Sequence, residues 1–152
     1  MNIIVQKFGG TSVSTEDRRK QVAIKVKEGI ENGFTPIVVV SAMGRKGQPY
    51  ATDTLLTLID DKFKETNRNS KDLLMCCGEI ISSVVVANAL YNEGIEAVPL
   101  TGGQAGIITD DNFCEAEYIS IDIDRLLSVV REGKVPVVTG FQGITKDGYF
   151  TT

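Results

Sequence analysis

The sequence predicts an α/β fold built on a largely parallel sheet with helices on both faces. Three observations predict it. Short apolar, β-branched runs alternate with longer segments whose apolar residues recur every three or four positions, the alternation that parallel sheets require. Four of those runs empty into loops rich in glycine, serine and threonine, beginning at Gly9, Ser41, Thr101 and Thr139, which a parallel sheet gathers along one ligand-binding edge. A length of 152 residues with 42% hydrophobic content suits one ordinary domain with its own core.

The chain opens on an apolar strand, Asn2 to Val5, that runs through Gln6, Lys7 and Phe8 into Gly9, Gly10, Thr11, Ser12 and Val13. Ser14 or Thr15 can cap a helix whose Val22, Ala23, Val26 and Ile30 recur at helical spacing, with Gly33 as its stop. Pro36 to Val40 is a short apolar run of the kind buried on both sides, and it delivers Ser41, Ala42 and Met43 to its end. Gly44 to Ala51 reads as a surface loop, after which Thr52 or Asp53 can cap a helix through Leu55, Leu56, Leu58 and Ile59. Residues 64 to 70 are polar and predict a link between helices. Lys71 to Tyr91 predicts one long helix, too crowded with apolar residues to leave a wide polar face and therefore central and well buried. Gly94 ends it. Ile95 to Leu100, Ile107 to Thr109, Tyr118 to Ile121 and Val135 to Thr139 follow as strands, Ile123 to Arg131 as a helix, and Ile144 to Thr152 as a small hairpin turning at Lys146, Asp147 and Gly148.

Composition excludes several classes of function. The net charge of −4, without a basic stripe or interleaved aromatics, argues against a nucleic-acid partner. No apolar run is expected to reach the length of a membrane span, and the N-terminus lacks the marks of a secretory signal, so a cytoplasmic protein with no membrane partner is expected. Cys76, Cys77 and Cys114 form neither a disulfide framework nor a C-x-x-C pair and read as reduced, mostly buried thiols. Histidine is absent, which removes Ser-His and Cys-His nucleophiles and histidine metal sites together. No metal ligand is assigned. Lysine, carboxylates, hydroxyls and backbone remain, a set that suits phosphoryl transfer.

Two segments carry that chemistry. A lysine followed by two glycines and two hydroxyls at the end of a first strand meets the requirements of an anion or phosphate site: the glycines let the backbone take φ > 0 and approach a ligand, the hydroxyls and N–H groups donate, and Lys7 supplies charge. The same residues also read as a strand, a tight turn and a solvated lysine. Within the long helix, Gly78 lowers helix propensity beside Glu79, whose carboxylate is costly to bury alone. That pair suggests close approach to a polar ligand, the alternative being a glutamate on a solvated face. There is no G-x-x-x-x-G-K-[ST] and no G-x-G-x-x-G, so a phosphate site must be built in another way.

Lys7 to Val13 resembles the K-F-G-G-T-S-V signature of the aspartate kinases, a branch of the amino acid kinase family, and Val38 to Gly44 resembles their strand end V-S-A-M-G. Thr52-Asp53-Thr54-Leu55 is similar to the family's T-[DN]-x-L segment, Thr101 to Gly106 to its T-G-x-Q-A-G, and Gly140 to Gly143 to its G-F-Q-G. The resemblance implies an amino acid kinase, or carbamate-kinase-like, fold. It implies that Lys7, Phe8, Gly9 and Gly10 meet the phosphates of ATP, with Lys7 catalytic, and that Ser41, Thr52 and Glu79 bind L-aspartate, Glu79 through its amino group. The implied reaction is ATP-dependent phosphorylation of the β-carboxylate with Mg²⁺, giving 4-phospho-L-aspartate for lysine, threonine and methionine synthesis. From the residues alone Ser41 can equally cap its own turn and Thr52 can be a helix N-cap.

Family members continue beyond the threonines matching Thr151 and Thr152 into R-G-G-S-D, a nucleotide-binding half and regulatory ACT domains. Residues 1–152 are therefore expected to be the N-terminal, amino-acid-binding lobe, inactive alone and homodimeric in the full-length protein. A stand-alone non-catalytic amino-acid-binding or regulatory subunit, or a kinase of a related carboxylate or carbamate acceptor, is the other expectation open.

Overall fold

Two sheets organise the chain, which the computed structural model describes over residues 1–152. The first is wholly parallel, in the order β1 (Ile3–Phe8), β2 (Thr35–Val40), β6 (Val135–Thr139) and β3 (Ala97–Leu100). The second is mixed and smaller, in the order β5 (Tyr118–Ile121), β4 (Ile107–Thr109), β7 (Gly143–Thr145) and β8 (Phe150–Thr151). The expected short strands exist, but they leave the parallel sheet and pair with the terminal hairpin. β7 and β8 pair antiparallel as the expected hairpin, and β4 lies parallel to β7 along its other edge.

Helices α1 (Glu16–Glu31) and α4 (Arg68–Asn92) cover one face of the parallel sheet. Val22, Ala23 and Val26 of α1 meet Val38 and Val40 of β2, Val86 and Leu90 of α4, and Val135 and Val137 of β6 in one buried cluster. α5 (Asp124–Arg131) covers the other face only in part, placing Val129 against Val138 and Leu100. The expectation of helices on both faces therefore holds unevenly. On the edge strand β1 the outward residues Ile3 and Val5 stay 43% and 62% exposed.

Thr15 accepts the N–H of Arg18 as the cap of α1, with Glu16 and Asp17 in its first turn where the helix dipole favours them. Gly33, at φ +81, ends it. Two local expectations are corrected. Neither Thr52 nor Asp53 caps a helix through Ile59: α2 (Thr52–Leu55) starts after Ala51 and tightens into a 3₁₀ turn, Leu56–Leu58, before Ile59 turns extended. The polar stretch 64 to 70 is mostly helical, because α3 (Asp61–Thr66) and α4 are separated only by Asn67. Its polarity marks exposure, and the Lys64–Asp61 pair at 2.6 Å supports the helix.

α4 also departs from expectation. By length and composition it is long and apolar enough to cross a membrane, contrary to the sequence reading, since Glu79 is the one charged side chain between Leu73 and Asn92. Its fully buried positions are nonetheless largely polar, namely Asp72, Glu79, Ser82 and Ser83 beside Cys76, Val86 and Leu90, while Leu73, Val84 and Tyr91 are exposed. Asp72 accounts for part of this. Its carboxylate accepts the N–H groups of Cys114 at 2.9 Å and Thr152 at 3.1 Å and the Thr152 hydroxyl at 2.5 Å, tying α4 to the second sheet. The three cysteines are free thiols; Cys76 is buried, and Cys77 and Cys114 are half-buried, less than expected.

Candidate active site

β1 and β2 run in register, Lys7 opposite Val39 and Phe8 opposite Val40, so both strands end at the same level. Their loops then bond to each other: Ser41 N–H donates to Phe8 O at 3.1 Å and Gly44 N–H to Gly10 O at 2.9 Å. Gly9 is extended at φ −73, ψ 167, and Gly10–Val13 forms one 3₁₀ turn. Neither Gly9 nor Gly10 has a positive φ, so the expected use of left-handed backbone is corrected. Gly10 is a glycine because a Cβ there would collide with Ala42 O and stand 2.8 Å from Gly44 O. What the missing side chain admits is the neighbouring loop. Gly9 faces open space, with nothing within 4 Å of where its Cβ would be, leaving room there for a ligand.

α4 approaches the same loops from the other side. A Cβ on Gly78 would lie 2.7 Å from Ala42 Cβ and 3.3 Å from Tyr50 O. The close approach inferred for Gly78 is thus to protein. It brings the next residue, Glu79, against the strand end, where Glu79 Oε1 accepts Ala42 N–H at 3.3 Å. Burial pushes the Glu79 carboxyl above its ordinary value, offset only in part by backbone N–H donors.

These elements enclose a cleft of about 490 Å³ lined by Gly10, Ser41, Ala42, Gly44, Arg45, Lys46, Ala51, Thr52, Asp53 and Glu79. Ser41, Thr52 and Glu79 are therefore brought together. Lys7 is not among the lining residues: it is exposed and shares with Ile3 and Val5 the face away from α4, while Phe8 packs inward against the core. Lys7 stands at the same sheet edge on the opposite face and forms no ion pair. The Thr101–Gly106 loop packs against Gln142–Ile144 and takes no part in the cleft.

Other contributors had no motif to mark them. Arg19 donates to Val13 O at 2.9 Å and approaches Met43 Sδ at 3.7 Å, joining the glycine loop to the second strand end. A larger groove of about 650 Å³ between α1 and α4 is lined in part by Arg19. Its carboxylates and cations are interspersed, and no buried group converges on it. In the smaller cleft one buried carboxylate faces hydroxyls, backbone and the cations Arg45 and Lys46, an arrangement suited to a ligand with an amine at one end and an anion at the other.

The profile of the amino acid kinase family matches residues 2–152. The chain belongs to the amino acid kinase family. Among its curated relatives it is 49% identical to aspartokinase 1 of Bacillus subtilis and 41% identical to the aspartokinase of Geobacillus stearothermophilus, over all 152 residues in each case. It spans 38% and 36% of the length of those two proteins. Among solved structures it is similar to the aspartate kinase from Synechocystis, at 37% identity and a TM-score of 0.72, with all of this chain and 24% of that one covered. The E. coli aspartokinase III structure in complex with aspartate and ADP superimposes with a TM-score of 0.78 at 20% identity, covering all of this chain and 43% of that one, a likeness of fold. The amino acid kinase fold expected from the sequence is thus the fold observed.

Proposed function

We propose that this chain is the amino-acid-binding lobe of an aspartate kinase. The observation that carries the reading is Glu79: an acid buried to 7% exposure on an apolar helix, held against Ala42 N–H and opening on a cleft that also holds Ser41 and Thr52. A buried carboxylate of this kind is costly unless a cation meets it, and the amino group of L-aspartate supplies one. Ser41 and Thr52 then offer hydroxyl donors to its carboxylates. The identity of up to 49% with aspartokinases supports aspartate as the acceptor.

In the reaction a β-carboxylate oxygen attacks the γ-phosphorus of ATP as the bond to ADP breaks, giving 4-phospho-L-aspartate for lysine, threonine and methionine synthesis in the cytoplasm. ATP supplies the phosphoryl group and reaches the cleft past the open side of Gly9. Lys7 neutralises charge on that group from the outer face of β1. Mg²⁺ arrives bound to the nucleotide. Because the relatives are more than twice as long, the remaining nucleotide contacts are assigned to sequence this chain does not contain, and the 152 residues alone bind aspartate without turning it over. The full-length protein is a homodimer.

Calorimetry of the chain with L-aspartate, followed by a coupled ADP-release assay with a panel of acceptors, tests the reading. Saturable aspartate binding with negligible turnover is expected. Binding of glutamate or carbamate in preference to aspartate overturns the acceptor, and turnover near that of an intact kinase overturns the assignment as a lobe.

A further inference from the structure

The loop Gly44 to Ala51 is tied by hydrogen bonds and sets two cations, Arg45 and Lys46, on the cleft, of which one is held in place. Arg45 N–H donates to Gln48 Oε1 at 2.7 Å, Gln48 N–H returns to Arg45 O at 2.9 Å, Ala51 N–H reaches Gln48 O at 3.2 Å, and Gly47 N–H donates to Thr54 Oγ1 at 3.0 Å. The Arg45 side chain is fixed as well, its Nε donating to Thr11 Oγ1 at 3.2 Å in the turn that follows Gly10. Yet no carboxylate pairs with it. The four ion pairs of the chain lie elsewhere, and Asp53, on the same cleft, is not among its partners. An oriented guanidinium with its terminal N–H groups uncommitted, in a cleft that Glu79 also lines, is matched to the planar oxygen pair of a carboxylate. Lys46 lines the cleft too but makes no hydrogen bond that would orient it.

We infer that Arg45 is a specificity-determining residue of this cleft, pairing with the side-chain carboxylate of the bound amino acid while Glu79 holds its amine. The inference rests on the aspartate-binding reading and deepens it. The anchor to Thr11 puts the guanidinium beside the glycine loop, on the side from which a phosphoryl group arrives, so the carboxylate it orients is the one to be phosphorylated. The pairing distinguishes aspartate from asparagine, whose side-chain amide offers one acceptor and no charge.

Calorimetric titration of the wild-type chain, Arg45→Ala and Thr11→Val with L-aspartate and with L-asparagine tests it, thermal melts first establishing that each variant is folded. The wild type is expected to prefer aspartate. Arg45→Ala should lose about tenfold or more in aspartate affinity while keeping its asparagine affinity, erasing the preference, and Thr11→Val should lose a smaller part of it. A preference that survives in Arg45→Ala overturns this inference and leaves the aspartate site standing. Equal loss of both ligands in a folded Arg45→Ala overturns the assignment to the side-chain carboxylate. Failure of the wild type to bind aspartate at all overturns the underlying reading and this inference with it.

Discussion

Gly78→Ala isolates the contact on which the cleft depends. The new methyl would stand 2.7 Å from Ala42 Cβ, whereas packed carbons rest about 3.7 Å apart, so α4 and the strand end must separate by about 1 Å. Overpacking of this kind costs about 1–3 kcal/mol, of which the gain in helix propensity from glycine to alanine returns about 1 kcal/mol. Global stability should therefore fall by no more than about 2 kcal/mol. The site suffers more. The Glu79 to Ala42 N–H bond is already 3.3 Å long, and a shift of about 1 Å takes it beyond hydrogen-bonding range. A displacement of that size in a site built for oriented contacts costs about 10²-fold. Urea unfolding and aspartate calorimetry on the same sample separate the two effects, and Ala42→Gly combined with Gly78→Ala should recover much of the affinity by removing the opposing methyl. Aspartate affinity within twofold of wild type in a folded Gly78→Ala chain would show that the helix is not positioned by this contact.

Glu79→Gln should abolish aspartate binding and raise stability near neutral pH. The native pKa of Glu79 is raised, so the folded chain keeps a proton that the unfolded chain releases; stability owed to this group is fully present below the unfolded glutamate value and is lost as pH rises through the native one. Denaturation curves followed upward from below the ordinary glutamate pKa of about 4.3 should lose part of that slope in the variant, and an unchanged slope refutes the assignment. Asp72→Ala removes three hydrogen bonds from a fully buried carboxylate, a loss of about 3 kcal/mol, which calorimetry should read as a fall in Tm of about 10 °C; a fall under 2 °C (roughly 0.5–1 kcal/mol) would show that the clasp contributes little. Gly10→Ala must push the loops of β1 and β2 apart, since Ala42 O and Gly44 O occupy the space, and aspartate binding should fall more than the melting temperature does. Retained affinity in that variant would show that the two loops need not touch.

Much of the fold was legible because local chemistry and tertiary structure agree. Thr15 and Gly33 bound α1 as the sequence suggests, and the fully buried β6 coincides with the apolar run Val135 to Thr139. The second sheet was not legible as a separate sheet. β4 and β7 are three residues each and pair across a long stretch of sequence, and no periodicity can register so short a contact. In the site, Ser41, Thr52 and Glu79 line one cleft. Lys7 stands apart for a reason visible in strand parity: Phe8 packs inward against the core, so Lys7 beside it must face outward. Which face α4 would cover is a property of the crossovers, and the strand itself does not contain it.

α4 shows why hydrophobicity alone misplaces a functional helix. Its apolar residues predict burial all round, yet the stripe that faces the protein, Asp72, Cys76, Glu79, Ser83, Val86 and Leu90, spaced alternately four and three apart, is half polar. The neighbouring stripe, displaced by one residue, carries Leu73, Val84 and Tyr91 to the surface. Hydrophobic transfer by itself would favour the opposite rotation. The observed one is fixed by specific partners that only this face can reach: the N–H groups taken by Asp72, the Cys76 carbonyl that accepts Gln142 Nε2 at 3.3 Å, and the Ala42 N–H held by Glu79. Buried polar groups left without a partner are costly, and here the partners they find select the helix face. The choice that leaves apolar side chains exposed is the same choice that carries Glu79 into the cleft.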